Sequence, residues 1–387
     1  MKYKIKELMN VYRGASPRPI IEYLSDTGYR WLKISDFKLY NRYVYDTKEY
    51  IIEEGVKKTR YMSKGTLILT NSATPGIPIF LANDMCLHDG FLYFQNIKQD
   101  IINIKFLYYW FLYNREKIVS QANGSVFQNL KKEIVENYEI DIPDINEQLK
   151  IVKILDNISD KIDINNQTND NLHEYCENLF KSVYKQGVER KIGDLITNIE
   201  TGSRPKGGAQ QEGIPSIGAE KIEKFGVYDF SSEKYINKEY FDKLNNGIVK
   251  SKDVLLYKDG AYTGKVSLAL DDFPHKKCAI NEHVFKINSE NNFAQYYLYF
   301  CLFNEKNRQK VFTLASAKAA QPGLNQNELK SLKVKIPNRE AIIKFEKDVD
   351  SIMHLIVSNS KENKRLDHLR NMLLPKLMNG EIDLDNM

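Results

Sequence analysis

The chain has 387 residues, enough for two or more domains with their own cores, and its 42% hydrophobic and 28% charged residues exclude general disorder. No stretch approaches the roughly 18 apolar residues of a membrane span, and Met1-Lys2-Tyr3-Lys4 leads into no apolar secretion segment, so a cytoplasmic location without membrane contact is expected. The net charge of +5 suits a polyanionic partner without requiring one, and Cys86, Cys176, Cys278 and Cys301 stand too far apart for a zinc knuckle or a disulfide framework.

In chain order, residues 1–142 read as a mixed α/β domain. Near its start stand Arg13, Arg18 and Lys33, able to grip phosphates and equally able to be salt-bridged surface charges. The β-rich segment Thr66-Leu67-Ile68-Leu69-Thr70 passes into a polar loop, Asn71 to Gly76, in which Asn71, Ser72 and Thr74 are candidates for contact with phosphates and base edges. His88-Asp89 is the nearest approach to an acid/base pair. Its order does not recur around Asn281-Glu282-His283, which argues against catalysis there. An amide-rich loop follows, with Asn123, Gln128 and Asn129. Amides bind adenine bidentately, but they also cap helices and turns.

Residues 143–187 read as a long helix with Asp144 as its N-cap. Alternating steps of four and three give Ile151, Leu155, Ile158, Ile162, Asn165, Asn169, Leu172, Cys176, Leu179 and Val183, the pattern of a coiled-coil seam. Such a stripe is ordinarily just the core face of a helix. Here the chain repeats itself: Ile336-Pro337 answers Ile142-Pro143 at an offset of 194. Residues 336–387, with Asn338 as N-cap, then give Phe345, Val349, Ile352, Ile356, Asn359, Asn363, Leu366, Arg370, Leu373 and Leu377 in the same frame. Antiparallel pairing sets Asn165 near Asn363 and Asn169 near Asn359. Parallel pairing in register matches them too, and the pseudo-twofold of a duplicated chain favours antiparallel. At ~1.5 Å per residue, roughly 40 residues make a rod of about 60 Å, expected to space two domains.

Residues 188–335 are the second, looser copy of the first domain. Gly202 answers Gly14, Arg204-Pro205 answers Ser16-Pro17, and Gly264 answers Gly76. Arg204 and Lys206 are its candidate phosphate contacts. The β-rich Val254-Leu255-Leu256-Tyr257 leads into a loop carrying Lys258, Tyr262, Thr263 and Lys265, suited to phosphates and base edges or to an ordinary surface hairpin. Its glycine spacing is one residue short of a P-loop, and Val266 replaces the hydroxyl that would hold magnesium, which argues against ATP. A second amide loop contributes Gln321, Asn325 and Gln326. No methyltransferase, dinucleotide, zinc-protease or nucleophile-elbow motif is present, so no catalytic residue, metal or cofactor is expected. The first helical segment is net acidic, so a nucleic-acid face is expected on the α/β domains.

Two divergent α/β domains, each followed by a patterned helix, resemble the specificity subunit of type I restriction-modification systems over the whole chain. The helix ends carry the most specific likeness: Ile142-Pro143 leading to Glu147-Gln148, and Leu373-Leu374-Pro375-Lys376-Leu377-Met378-Asn379-Gly380-Glu381-Ile382. The segment from Val254 to Thr263-Gly264-Lys265 also looks like a recurrent feature of that family's target-recognition domains; Thr74-Pro75-Gly76-Ile77 departs from it by lacking the lysine. The resemblance implies two target-recognition domains, residues 1–142 and 188–335, each reading half of a split double-stranded DNA site. It implies two antiparallel coiled-coil helices, within 143–187 and 336–387, that act as spacer and dock two methyltransferase subunits, with restriction subunits joining the larger assembly. Catalysis would then belong to the partners. A structural coiled-coil adaptor is the alternative from another class, and salt-dependent binding to duplex DNA separates the two.

Overall fold

A computed structural model describes residues 1–37, 41–121, 129–316 and 323–384. It divides into two compact units, Met1–Asp163 with Arg365–Met387, and Ile164–Lys364. Each takes one α/β domain and part of both long helices.

In the first unit, Lys2–Lys4 pairs antiparallel with Glu139–Asp141 and ties the start of the domain to its end. The main sheet runs in the order Asn10–Arg13, Phe91–Gln95, Leu67–Thr70, Pro78–Leu81, Tyr43–Val44. Leu67–Thr70 is apolar on both faces because both are covered, and all four residues are buried. A second five-stranded sheet places Met85–Leu87 parallel to Tyr29–Leu32. The helix Ile104–Ser120 starts at Asn103, whose side chain accepts from the N–H groups of Lys105 and Phe106. It buries Phe106, Tyr109 and Phe111 in one core with Leu67, Leu69 and Leu92.

The second unit repeats this plan with fewer strands. Val188–Lys191 pairs with Lys333–Ile336 as the closing ribbon, and the main sheet is ordered Ile196–Thr201, Val284–Ser289, Val254–Tyr257, Val266–Leu268. Ile214–Ile217 and Ala279–Ile280 form the parallel pair. The helix Gln295–Phe303 is buried throughout its first eight residues. Cys86, Cys176, Cys278 and Cys301 are free and buried, and desolvation pushes each thiol up to about 12.

The long helices are Ile145–Lys185 and Arg339–Met378. Asp144 caps the first by accepting from the N–H groups of Asn146 and Glu147, and Asn338 accepts from Ala341 at the second. In the second unit they run antiparallel through the polar middle of the seam. Asn165 Nδ2 donates to Asn363 Oδ1 at 2.9 Å, and Asn359 Nδ2 donates to Asn169 Oδ1 at 2.9 Å. Of the remaining seam positions, Leu172, Leu179, Phe345, Val349, Ile352 and Ile356 share the second unit's core, while Ile151, Leu155, Leu373 and Leu377 share the first unit's. Ile158 and Ile162 are buried and Leu366 is half-buried. The buried stripe is wider than a two-position seam: Val152, Phe180, Met353 and Leu374 are buried as well. Each helix packs on an α/β core besides its partner, so its apolar face spans more of the circumference.

Candidate nucleic-acid interface

In each unit the loops that carry the polar candidates leave the same end of the main sheet. Arg13, Thr70 and Phe91 lie at that end in the first unit, and Thr201, Tyr257 and Val284 in the second. A glycine sets the crossing to the second sheet. A Cβ on Gly14 would stand 2.1 Å from the His88 carbonyl oxygen, and one on Gly202 would stand 1.8 Å from that of Ile280, so any side chain there would force the sheets apart. The residue before each following acid then anchors to the parallel strand: His88 N–H donates to Leu32 and Asn281 N–H to Ile217, both at 3.0 Å. Asp89 and Glu282 therefore occupy equivalent places.

In the first unit, Arg13 Nε donates to the Asp89 carbonyl oxygen at 2.7 Å, and one Arg13 Nη stands 3.7 Å from the Asp89 carboxylate. The Ser16 hydroxyl donates to the same carboxylate at 3.1 Å. Arg18 is exposed and Lys33 pairs with Glu49; both line a cleft of about 370 Å³ with Trp31 and Asp89. Asn71 is buried. Its side chain donates to the Asp89 carbonyl and its own carbonyl accepts from Leu130 N–H, which fastens the two predicted loops together. Ser72 and Thr74 are half-buried and Asn129 is exposed, while Asn123 and Gln128 lie outside the described residues.

His88 and Asp89 do not form an acid/base dyad. His88 Nδ1, the nitrogen nearest Asp89, accepts from Gly90 N–H at 2.9 Å and so carries no proton to share in the neutral ring. Burial lowers the His88 pKa against the pull of Asp89, and Lys33, Arg13 and Arg18 lower it further.

In the second unit, Arg204 Nε lies 3.0 Å from Glu282 Oε1, and Lys206 is exposed. Lys258 pairs with Asp259 at 2.6 Å, and His283 Nδ1 lies 3.2 Å from the same carboxylate. The Lys258 carbonyl accepts from Leu324 N–H, the counterpart of the Asn71–Leu130 tie. Lys265 pairs with Glu223 and lies over the ring of the exposed Tyr262. Thr263 is buried and donates to the Gly260 carbonyl, so its hydroxyl holds the turn. Asn325 caps the short helix Gln326–Ser331 in a capping box with Glu328, and Gln326 donates to the Ile199 carbonyl. Gln321 lies outside the described residues.

The geometry thus brings Arg13, Arg18, Lys33 and Asn71 together at one rim and Arg204, Lys258, Tyr262 and Lys265 at the other. The search for cations and amides missed the acids between them, Asp89, Glu282 and Asp259. For Asp89 and Glu282 the available signal was an acid two residues past the close of each parallel strand. Also missed was Arg42, 5% exposed, whose guanidinium meets Asp156, Asp160 and Asp163 of the central helix. Among the described residues there is no cluster of His, Cys, Asp and Glu able to hold a metal, and no helix long and apolar enough to cross a membrane.

Two copies of one α/β domain, each with a charged sheet rim and a share of a long helix pair, define a duplicated recognition protein. The chain belongs to the family of type I restriction modification DNA specificity domains, whose model matches residues 1–174 and again 185–367. It is 26% identical over 422 residues to the Type I restriction enzyme MjaIX specificity subunit of Methanocaldococcus jannaschii, covering 99% of this chain and 94% of that one. It is 23% identical over 338 residues to the Type I restriction enzyme HindI specificity subunit of Haemophilus influenzae, covering 69% and 74%. The crystal structure of a type I restriction-modification S subunit from M. genitalium shares the fold, with a TM-score of 0.54 at 15% identity over 97% of this chain and 95% of that one.

Proposed function

We propose that this chain is a non-catalytic subunit that gives a type I restriction-modification complex its DNA specificity, one α/β domain reading each half of a bipartite site. The observation that carries this is the rim itself: in a chain of the DNA specificity family, cationic side chains stand at the same sheet end in both copies. The interface is assigned to Arg13, Arg18, Lys33 and the 71–76 loop with Asn129 in residues 1–142, and to Arg204, Lys206 and the 258–265 loop in residues 188–335. Asn71 and Thr263 act from beneath by holding their loops. The long helices serve as spacer and as the platform for two methyltransferase subunits, and restriction subunits join through that assembly. The methyl donor, ATP and catalysis belong to those partners.

Mapping methylated positions in DNA from cells that carry this chain with its modification partner tests the reading. A split motif with a fixed gap is expected. Methylation at a continuous motif, or duplex binding indifferent to salt, would instead favour a coiled-coil adaptor.

A further inference from the structure

We propose that Arg13 and Arg204 are specificity-determining residues that each read a guanine, one per half-site, with Asp89 and Glu282 as their positioning residues. This rests on the DNA-reading function above and deepens it.

Arg13 precedes Gly14, whereas Arg204 follows Gly202 by two residues, so the two arginines are not equivalent in the repeat. The acids are equivalent, as the matching backbone bonds of His88 and Asn281 show. Two diverged copies therefore supply an arginine to the same acidic position from opposite sides of the same glycine. A general need for surface charge does not explain that. A need for a guanidinium at this point of the rim does.

The geometry also leaves the right part of the guanidinium available. In both copies the protein engages Nε, through the Asp89 carbonyl at 2.7 Å and through Glu282 at 3.0 Å. Among the described residues neither arginine donates a hydrogen bond through Nη. The arginine side chains are 57% and 49% exposed. A guanidinium held at Nε presents its two Nη groups as a fork. That fork fits guanine O6 and N7, two acceptors that adenine does not offer together. An acid at a polyanion-binding rim would cost affinity if it faced phosphates alone, and it is tolerable where it fixes a base-reading cation. Arg18 and Lys206, exposed one step further along each copy, suit phosphates instead.

The experiment uses the complete chain assembled with its modification subunits, wild type or carrying Arg13→Lys, Arg204→Lys, Asp89→Asn or Glu282→Gln. Binding is measured on cognate duplex and on duplexes with each guanine of the motif replaced in turn. Lysine keeps the charge but loses the fork. Arg13→Lys should lower discrimination at one guanine of one half-site by about 5- to 150-fold, the worth of a bidentate pair, and Arg204→Lys should do so in the other half. The slope of affinity with salt should stay unchanged for both. Glu282→Gln should reproduce the loss in its half-site, whereas Asp89→Asn keeps the carbonyl that holds Arg13 Nε and should leave discrimination near the wild-type value; the lysine variants carry the test if either acid variant fails to assemble. Unaltered discrimination in the lysine variants, an equal loss on cognate and substituted duplexes, or a half-site without guanine would overturn the proposal. A wild-type complex without a bipartite motif would overturn the underlying reading instead.

Discussion

His173 shows at residue scale how a helix is fixed to its domain. It is buried against Tyr299, Phe300 and Phe303, with Nε2 2.8 Å from the Tyr299 hydroxyl. Burial pushes its pKa down to about 3, with Lys224 adding a smaller push in the same direction. The folded-state value lies below the ordinary 6.5, so the unfolded chain takes up a proton first as pH falls. The stability this neutral ring supplies is complete above about pH 6.5 and is lost towards pH 3, no faster than about 1.4 kcal/mol per pH unit. Urea midpoints at pH 7.5 and 5.5 should differ, and the difference should shrink in His173→Gln. Arg42 is the opposite case, a buried charge satisfied by charge. Arg42→Ala leaves Asp163 without its ion-pair partner and Asp156 with Lys105 as its remaining one, and should cost about 3–5 kcal/mol in the same assay, with Arg42→Lys costing less.

Among the elements, the long helices carry a register that their apolar residues alone do not define. Isoleucine and leucine can slide past one another at little cost, but Asn165 and Asn169 cannot face an apolar residue without losing buried hydrogen bonds. Inserting one heptad near residue 167 alone should misalign both amide pairs and lower the melting temperature. A matching heptad near residue 361 should restore most of the loss. Equal stability of single- and double-insertion proteins would remove the amides from any role in register. The same helices show why the expected seam was too narrow. Ser159, His173 and Ser360 are buried polar residues outside the seam, and they are tolerated because Tyr109, Tyr299 and the Gly226 carbonyl satisfy them.

For the molecule as a whole, the repeat gives two units of similar plan. Each has its own closing ribbon, main sheet, parallel strand pair and core. Replacing residues 188–335 by the matching domain of a relative should change one half of the methylated motif and leave the other intact, as read by methylome mapping. Alteration of both halves would contradict one domain per half-site.

The sequence by itself determined the duplication, the mixed α/β class, and the N-caps Asp144 and Asn338. These are written in short-range patterns and in the offset of 194, and they need no knowledge of distant contacts. Only the tertiary structure decided antiparallel over parallel helices, because both match the seam. It also decided which polar residues face outward. Asn71 and Thr263 look the same in sequence as exposed loop residues, yet Asn71 turns inward to the Asp89 carbonyl and Thr263 to the Gly260 carbonyl of its own turn. Arg42 lies more than a hundred residues from its aspartates, and Asp89 and Glu282 become partners of Arg13 and Arg204 only where a glycine lets two sheets meet. Long-range pairs of that kind leave no local pattern, because the physical cause is packing between segments that the chain order keeps apart.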